Sequence, residues 1–270
     1  MSSELNAIVV QRIEVSPGLV ILRVVPEGWE LPEFEPGQYA VLALPGSAQR
    51  TTISDPEAKP SAPDKLIKRA YSIASSSKAK EYMEFYVSLV PSGQLTPRLF
   101  KLRSGDRVWL SPKAKGVFTL DNVEKDRHVA FLATGTGLAP YMSMLRTQLT
   151  CGTPTHYAVL HGARHSWDLG YRSELMTLRR LCSNFSYLPT ISRPQSEAVE
   201  WAGHAGYLQD LWRSRALADE WGFEPSRETT DIFICGNPAM VDDMVEILAE
   251  EGYVEHKRRQ HGQVHVERYW

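Results

Sequence analysis

The segment Arg69–Ser72 brings a positive charge, a planar aromatic ring and a hydroxyl together within four positions. It lies at the start of a predicted strand, and successive side chains of a strand point to opposite faces. Arg69 and Tyr71 are therefore expected on one face and Ser72 on the other. Such a face suits a ligand that has a flat ring and an anionic group. The plainer alternative is a surface arginine beside a tyrosine that packs in a core.

A second segment, Ser92–Leu99, follows the next predicted strand and is suited to a phosphate. Thr96 followed by Pro97 has the form of a helix N-cap with proline at the first helical position. The N–H groups at a helix start attract anions, and Gly93 lets the backbone approach a ligand closely. With the first segment, this one predicts a dinucleotide site whose charges meet the pyrophosphate. An ordinary helix cap is the alternative.

In the second half of the chain, Phe131–Pro140 has the pattern of a strand, a glycine-rich turn and a helix. Phosphates bind at such turns, at the carboxyl ends of the strands of α/β sheets. Pro140 occupies the place of the third glycine of the dinucleotide fingerprint, so the fingerprint is incomplete. Because the flanking strand and helix are right, Gly135, Thr136 and Gly137 are interpreted as a phosphate-binding turn.

Two arginines after the next two predicted strands bear on the kind of nucleotide. Arg164 follows one strand, and Ser192 and Arg193 follow the other. Arginine suits a ribose 2′-phosphate, whereas a carboxylate suits a free 2′-hydroxyl. The arginines therefore favour NADP(H), with Asp168 as the nearest acidic competitor. Solvated loop charge is the alternative for both.

Two further features lie toward the end of the chain. Cys235 ends the fourth predicted strand of this half, before a helix that Asn237 and Pro238 begin. A buried small hydrophobe and a functional residue are equally weighted interpretations of Cys235, because it lies at the same sheet edge as the glycine turn. The chain ends on Tyr269 and Trp270, although chain ends need not bury rings. Either core packing or contact with a planar cofactor explains them.

Length and composition set outer bounds. The 270 residues, with 43% hydrophobic and 23% charged residues, are typical of a soluble globular protein of about two domains. A net charge of -2 gives no argument for nucleic acid or an anionic membrane as partner. No apolar run approaches the ~18 residues of a membrane span, and Met1–Asn6 lacks the features of a signal peptide. Cys151, Cys182 and Cys235 are widely spaced, which indicates neither a disulfide framework nor an iron–sulfur site.

The elements that must position these residues change in style along the chain. The first half has β-rich runs separated by turn clusters, which predict an antiparallel barrel or sandwich. These runs are Ala7–Glu14, Leu19–Val25, Gln38–Leu44, Arg69–Ala74, Met83–Val90 and Arg107–Leu110. After the charged stretch Asp121–Arg127, strands alternate with helices, which predicts a parallel sheet. The strands are Val129–Ala133, His156–His161, Phe185–Ile191 and Asp231–Cys235, and the helices lie near Tyr141–Leu149, Arg172–Leu181, Tyr207–Leu217 and Met240–Glu250.

Together, these motifs resemble those of the bacterial-type ferredoxin/flavodoxin–NADP(+) reductases, in the FAD-dependent ferredoxin reductase superfamily. The resemblance covers nearly the whole chain. It rests on five motifs, which are R-x-Y-S at Arg69–Ser72, G-x-L-[ST] at Gly93–Thr96, T-G-T-G-x-A-P at Thr134–Pro140, C-G-N-P-x-M at Cys235–Met240 and the aromatic tail Val266–Trp270. It implies an N-terminal antiparallel Greek-key β-barrel that binds FAD, over residues 1–122. An α/β parallel-sheet domain that binds NADP(H), over residues 123–270, follows, and its aromatic tail returns to the flavin.

The resemblance also implies roles for single residues. The FAD would be bound by Arg69, Ala70, Tyr71, Ser72, Tyr86, Val87, Ser88, Leu89, Gln94, Leu95, Thr96, Tyr269 and Trp270. The nicotinamide nucleotide would be bound by Gly135, Thr136, Gly137, Arg164, Ser192 and Arg193. The catalytic residues would be Tyr71 and Tyr269 on the two faces of the flavin, Ser72 near its N5, Cys235 beside the nicotinamide, and Glu267 for proton handling or nicotinamide positioning.

The function implied is that of a flavoprotein oxidoreductase. NADPH would pass a hydride to flavin N5 once the nicotinamide displaces the Tyr269 ring, and electrons would leave singly to ferredoxin or flavodoxin. Basic residues near the presumed flavin edge would attract such an acidic carrier, namely Lys113, Lys115, Lys257, Arg258 and Arg259. We expect a cytoplasmic monomer with no nucleic-acid or membrane partner.

Other classes stay open to different degrees. The same chemistry fits an NAD(P)H-dependent reductase component that serves an oxygenase or another redox partner. A binding module without catalysis is disfavoured by the intact Arg69–Ser72 and glycine-turn motifs. Hydrolysis is disfavoured by the lack of a G-x-S-x-G elbow. A metal site at His161 and His165 is disfavoured by the lack of a further ligand cluster.

Two departures from the family pattern affect the cofactor sites. The loop Gly46–Lys68, rich in Ser, Ala, Pro and charged residues, is longer than the family usually carries and is predicted to be mobile. It leaves the local FAD conformation open. His204–Tyr207 stands where relatives often offer another arginine, which implies a weaker or differently arranged 2′-phosphate site.

Overall fold

A computed structural model describes residues 4–268 of the chain, and these residues fall into two units. The first unit holds residues 4–119 and 139–147, and the second holds residues 120–138 and 148–268. The domain ranges 1–122 and 123–270 stay predictions. Among the described residues, no helix is long and apolar enough to cross a membrane.

Six strands form the sheet of the first unit. Their bounds are β1 Ala7–Ser16, β2 Leu19–Pro26, β3 Tyr39–Pro45, β4 Leu66–Ser72, β5 Met83–Ser88 and β6 Arg107–Leu110. The strand order is β4-β3-β6-β1-β2-β5, and each neighbouring pair is antiparallel. A bridge between Ile73, just after β4, and Phe85 of β5 joins the two edges, so the sheet closes into a barrel. The predicted antiparallel barrel is confirmed.

Alternating apolar residues fill this barrel. Along β2, Val20, Leu22 and Val24 are all fully buried in one core cluster, as the two-residue period of a strand requires. Burial of each such side chain contributes roughly 1.5–3 kcal/mol. This buried core therefore stabilises the barrel sheet, including strands β4 and β5.

Two helices pack with the barrel, α1 Thr96–Leu99 and α2 Ala139–Gln148. The second follows the glycine turn in sequence, but its side chains bind the barrel. The Ser143 hydroxyl donates to the carbonyl of Ser75 at 2.7 Å, and Arg146 donates to Glu84 at 2.6 Å. Glu84 is fully buried and also binds Arg23 at 2.7 Å. Two arginines thus compensate a carboxylate that would be costly to bury alone.

The second unit is a parallel sheet with helices. Its strands are β7 His128–Thr134, β8 Tyr157–Ala163, β9 Phe185–Ile191, β10 His204–Ala205, β11 Thr230–Cys235 and β12 Val264–Glu267. Its helices are α3 Arg172–Leu181, α4 Leu208–Arg213, α5 Ala216–Trp221 and α6 Pro238–Glu250. The strand order β10-β9-β8-β7-β11-β12 confirms the predicted parallel sheet. The order reverses at β7, and open α/β sheets bind ligands at such a switch point.

Two local predictions about the second unit were wrong. The single helix expected over Tyr207–Leu217 is divided into α4 and α5, because Arg215 has a left-handed conformation with φ of 62°. Cys151 and Cys182, for which no disulfide was indicated, form one, with their Cα atoms 4.8 Å apart. They are 31 positions apart, so only the fold brings them together.

Candidate functional site

Strand β4 presents Arg69–Ser72 at one edge of the barrel sheet, and it begins at Leu66, ahead of Arg69. Arg69 is exposed, Tyr71 half-buried and Ser72 buried, so burial increases along this end of the strand. Burial raises the pKa of the Tyr71 hydroxyl, and the nearby charge of Arg69 opposes that shift only in part. Tyr71 therefore presents a neutral aromatic ring beside a cation.

The start of the helix that follows β5 differs from the prediction. Leu95, and not Thr96, is the N-cap of α1. The Thr96 hydroxyl instead binds the backbone of Val90, accepting from its N–H at 3.0 Å and donating to its carbonyl at 3.2 Å. Within residues 4–268, no acceptor is found for the backbone N–H groups of Gln94, Leu95 and Thr96. Three successive open N–H groups suit an anion such as a pyrophosphate.

Strand β5 and the loop after it offer backbone rather than side chains at several predicted positions. Val87 and Leu95 lie in the barrel core, and Leu89 packs against it. Tyr86 is buried and Ser88 is half-buried. The side chains of Val87 and Leu95 are buried in the core, so a ligand would meet only the peptide groups of these two residues.

The loop between β3 and β4, predicted to be mobile, is tied to residues 90–98. Arg50 donates to the carbonyl of Gly93 at 2.8 Å and to that of Pro91 at 3.2 Å. The N–H of Asp55 also donates to the Pro91 carbonyl, at 3.0 Å. These bonds tie the loop to the segment that follows β5, and the predicted mobility of the loop stays a prediction. Composition indicated a polar loop but could not show its partners.

In the second unit, the glycine turn after β7 packs against the turn after β11. A Cβ atom on Gly137 would overlap the carbonyl oxygen of Cys235, and one on Gly236 would overlap the Thr134 hydroxyl. That hydroxyl accepts the N–H of Asn237 at 2.8 Å. Both glycines are required by this close approach. The two turns form one backbone surface at the carboxyl edge of the sheet, where a nucleotide is expected.

Two of the predicted catalytic residues meet in this unit. Cys235 of β11 pairs with Glu267 of β12 on one side and with Ala133 of β7 on the other. Cys235 is buried and outside any disulfide, while Glu267 is half-buried. Directly afterwards, the side chain of Asn237 accepts two backbone N–H groups of α6, which confirms the predicted helix start.

The predicted 2′-phosphate residues also come together. The ladder between β8 and β9 continues past both strand ends, because the N–H of Ser192 donates to Ala163 and that of Arg193 to Arg164, each at 3.0 Å. Arg164 and Arg193 are exposed, and neither has an ion-pair partner among the described residues. The backbones of Arg164 and Arg193 therefore lie side by side, and both arginines are available to bind an anion.

Nearby acidic residues are engaged elsewhere. Glu197 accepts hydrogen bonds from the N–H of Ser166 at 2.8 Å and from its hydroxyl at 2.5 Å. The hydroxyl bond is the largest of the causes that lower the pKa of Glu197. Asp168 binds His165 at 3.2 Å. Glu197 thus joins the segment after β9 to the segment after β8, Asp168 stabilises its own loop, and neither carboxylate pairs with Arg164 or Arg193.

Comparisons with known proteins agree with this geometry. The oxidoreductase FAD-binding domain family matches residues 56–116, and the oxidoreductase NAD-binding domain family matches residues 131–246. The flavodoxin/ferredoxin–NADP reductase of Buchnera aphidicola subsp. Baizongia pistaciae is 30% identical over 76% of this chain and 82% of its own length. The ferredoxin–NADP reductase B of Sorangium cellulosum is 34% identical over 87% and 85%.

The chain belongs to the flavodoxin/ferredoxin–NADP reductase family. A solved ferredoxin NADP+ reductase from Neisseria gonorrhoeae, with FAD and NADP bound, has the same fold. Its TM-score is 0.78 at 22% identity, and the alignment covers 99% of both chains.

Some residues at the nucleotide edge of this reductase-family chain were missed from the sequence. Arg172 lies over the Trp201 ring, 4.8 Å from its centroid, and Trp167 stacks on His165 with centroids 4.4 Å apart. All belong to segments that follow β8 or β9. Tryptophans within polar loops were the available signal, since large rings exposed there need a reason.

Two remaining predictions concern the tail and metals. Tyr269 and Trp270 lie outside the described residues, so their proposed contacts with the flavin stay predictions. In the described part of the chain, no three or more His, Cys, Asp or Glu side chains are grouped to hold a metal ion. His161 is buried against Tyr187, with Nδ1 3.1 Å from the hydroxyl, while His165 lies in a loop.

Proposed function

We propose that the protein is an FAD-dependent reductase that transfers electrons between NADP(H) and a one-electron carrier, ferredoxin or flavodoxin. The observation that carries the proposal is the presence of a separate nucleotide-binding set in each unit. The first unit has Arg69–Ser72 and three open N–H groups. The second has two interlocked turns and two uncompensated arginines.

The first set fits FAD. Arg69 and the N–H groups of residues 94–96 would hold the pyrophosphate, and the Tyr71 ring would stack on the flavin. The Ser72 hydroxyl would make a hydrogen bond near the flavin N5. Bound FAD supplies the link between two-electron and one-electron chemistry, because a flavin accepts a hydride and releases electrons singly.

The second set fits NADP(H). The tight contact of Gly137 with Cys235 leaves backbone, free of side chains, for the nucleotide to approach. Arg164 and Arg193 would bind the 2′-phosphate together with Ser192. Cys235 would pack beside the nicotinamide, and Glu267, at the same level of the sheet, would position it or hold a proton.

The partner and setting are part of the proposal. An acidic ferredoxin or flavodoxin would be attracted by five exposed basic residues, namely Lys113, Lys115, Lys257, Arg258 and Arg259. Lys257 also pairs with Glu255 at 3.3 Å. We propose that the protein acts as a cytoplasmic monomer, and that Tyr269 covers the flavin until nicotinamide binds while Trp270 packs on the FAD.

The test is cofactor loading followed by turnover. We expect the purified chain to carry FAD, or to bind it when added, and to reduce ferredoxin or flavodoxin with NADPH. A chain that stays colourless with added FAD would refute the proposal. A flavin-loaded chain that reduces neither carrier, but does reduce the partner of an oxygenase, would favour the reductase-component alternative.

A further inference from the structure

The long loop between β3 and β4 is fastened to the phosphate-binding backbone through one buried ion pair. The guanidinium of Arg98 meets the carboxylate of Glu57 at two points, Nη1 to Oε1 at 2.7 Å and Nη2 to Oε2 at 3.0 Å. The Arg98 side chain is only 3% exposed and that of Glu57 only 10%. Such a pair keeps its geometry, because little water competes for it.

Arg98 also holds two carbonyl groups. Its Nη1 donates to the carbonyl of Gln94 and its Nη2 to that of Gly46, both at 2.6 Å. Gly46 marks the start of the loop, and Gln94 is the first of the three residues with open N–H groups. One side chain therefore joins the start of the loop to the phosphate-binding backbone.

Arg50 makes the same kinds of contact as Arg98, but with the carbonyl of the residue before Gln94. It donates to the carbonyl of Gly93 at 2.8 Å and pairs with Glu57 at 3.1 Å. Glu57 thus lies between two arginines, each of which holds one carbonyl of the phosphate-binding backbone. The pKa of Glu57 is lowered, with the Arg98 hydrogen bond as the largest cause, so its charge persists at neutral pH.

The planarity of the peptide bond turns these contacts into control of the open N–H groups. In a trans peptide, the carbonyl of one residue and the N–H of the next point in opposite directions within one plane. Fixing the Gly93 carbonyl therefore fixes the N–H of Gln94, and fixing the Gln94 carbonyl fixes the N–H of Leu95. The N–H groups of Gln94 and Leu95 therefore point away from the arginine side chains that bind the two carbonyls.

We propose that Arg50, Glu57 and Arg98 are positioning residues that hold the peptide planes after Gly93 and Gln94 so that their N–H groups meet the diphosphate of FAD. The inference rests on the proposed function, since it assigns FAD to the first unit. It gives the long loop a role, which is to supply Arg50 and Glu57. The three side chains act through the backbone and need not touch the cofactor.

The test compares FAD with riboflavin, which has the same ring system but no phosphate. Glu57→Gln in the full chain, stripped of flavin, should bind FAD about tenfold more weakly than the unchanged chain, because charge-assisted hydrogen bonds are lost. Its affinity for riboflavin should not change. Glu27→Gln is the matched control, since it breaks an exposed pair with Arg107 in the same unit and should alter neither affinity.

Arg50→Lys provides a second variant, since it keeps the charge and leaves the Arg98–Glu57 pair intact. Lysine cannot hold a carbonyl and a carboxylate with one planar fork, so a smaller loss of FAD affinity is expected, about threefold. Unchanged FAD binding in both variants would overturn the inference. Equal losses for FAD and riboflavin would also overturn it, by indicating general damage. Failure of the unchanged chain to bind FAD would instead refute the proposed function.

Discussion

The two loops that are proposed to bind phosphate are built in opposite ways. In the first unit, the backbone of residues 93–96 is held by charged side chains, with Arg50 and Arg98 on its carbonyls. In the second unit, the turn at residues 134–137 is held by close packing that leaves no room for side chains, because Gly137 and Gly236 lie directly against neighbouring backbone.

This difference predicts different sensitivities. A loop held by side chains loses one or two hydrogen bonds when a side chain changes, and the backbone can retain its path. A turn held by close packing has no room to adjust, since protein interiors yield little to added volume. Adding one methyl group to the second unit should therefore cost more than removing a charge from the first.

The largest effect is expected for Gly137→Ala. The new methyl would overlap the backbone of Cys235 and Gly236, so we expect a loss of about 3 kcal/mol in the free energy of unfolding. NADP(H) binding should fail as well. Urea unfolding and NADP+ titration measure the two effects.

Gly222→Ala is the matched control for this change. Gly222 has a positive φ of 76° but open space around its Cβ position, so strain alone should cost about 1 kcal/mol. NADP+ binding should persist in this control. If Gly137→Ala is no worse than Gly222→Ala, close packing does not define the turn.

The units should also differ in their response to acid. Burial lowers the pKa of His161, in the second unit, to about 3 from 6.5. The unfolded chain takes up this proton near pH 6.5, and the folded chain does not until about pH 3. The contribution of neutral His161 is therefore complete above pH 6.5 and is lost as the pH falls through that window, by about 2 kcal/mol between pH 7 and pH 5.

In the first unit, the contribution of ionised Glu57 to stability should be lost at a lower pH than the contribution of neutral His161. Glu57 has a lowered pKa, so the stability that it contributes is present above its unfolded pKa near 4.5 and is lost only below that pH. Urea unfolding at pH 7 and pH 5 tests this, with His161→Gln expected to reduce the loss. An unchanged loss in that variant would assign the acid response to other groups, such as His128 and His256, whose pKa values burial also lowers.

The smallest effect is expected for the arginines that are proposed to select NADP(H) over NAD(H). Arg164→Ala should weaken NADPH binding about tenfold, because one charge-assisted contact to the 2′-phosphate is lost. NADH binding should stay the same. Arg179→Ala, which breaks an exposed pair with Glu220 in the same unit, is the control. Equal losses for both nucleotides would remove Arg164 from the specificity site.

Features that repeat locally could be predicted from the sequence. Alternating apolar residues indicated the barrel strands, and apolar strands followed by helices indicated the parallel sheet. The motifs placed Gly137 beside a sheet edge and Arg69 on the same face as Tyr71. These features depend on residues close in sequence, which is why a period or a motif reveals them.

Features that join distant residues could not be predicted. Glu57 and Arg98 lie 41 positions apart, and neither position has a local pattern that names its partner. The same holds for the Cys151–Cys182 disulfide and for the packing of α2 on the barrel. The prediction of Thr96 as an N-cap was wrong because its hydroxyl binds the backbone of Val90 instead. Residue preferences at helix starts cannot show such a contact.

The most direct test of the central claim is anaerobic stopped-flow mixing of the FAD-loaded chain with NADPH or NADH at equal concentrations. The loss of flavin absorbance should be at least about tenfold faster with NADPH, because only NADPH carries the phosphate that Arg164 and Arg193 would bind. Equal rates with both nucleotides would contradict the assignment of the second unit to NADP(H). No loss of absorbance with either would contradict the proposed reductase itself.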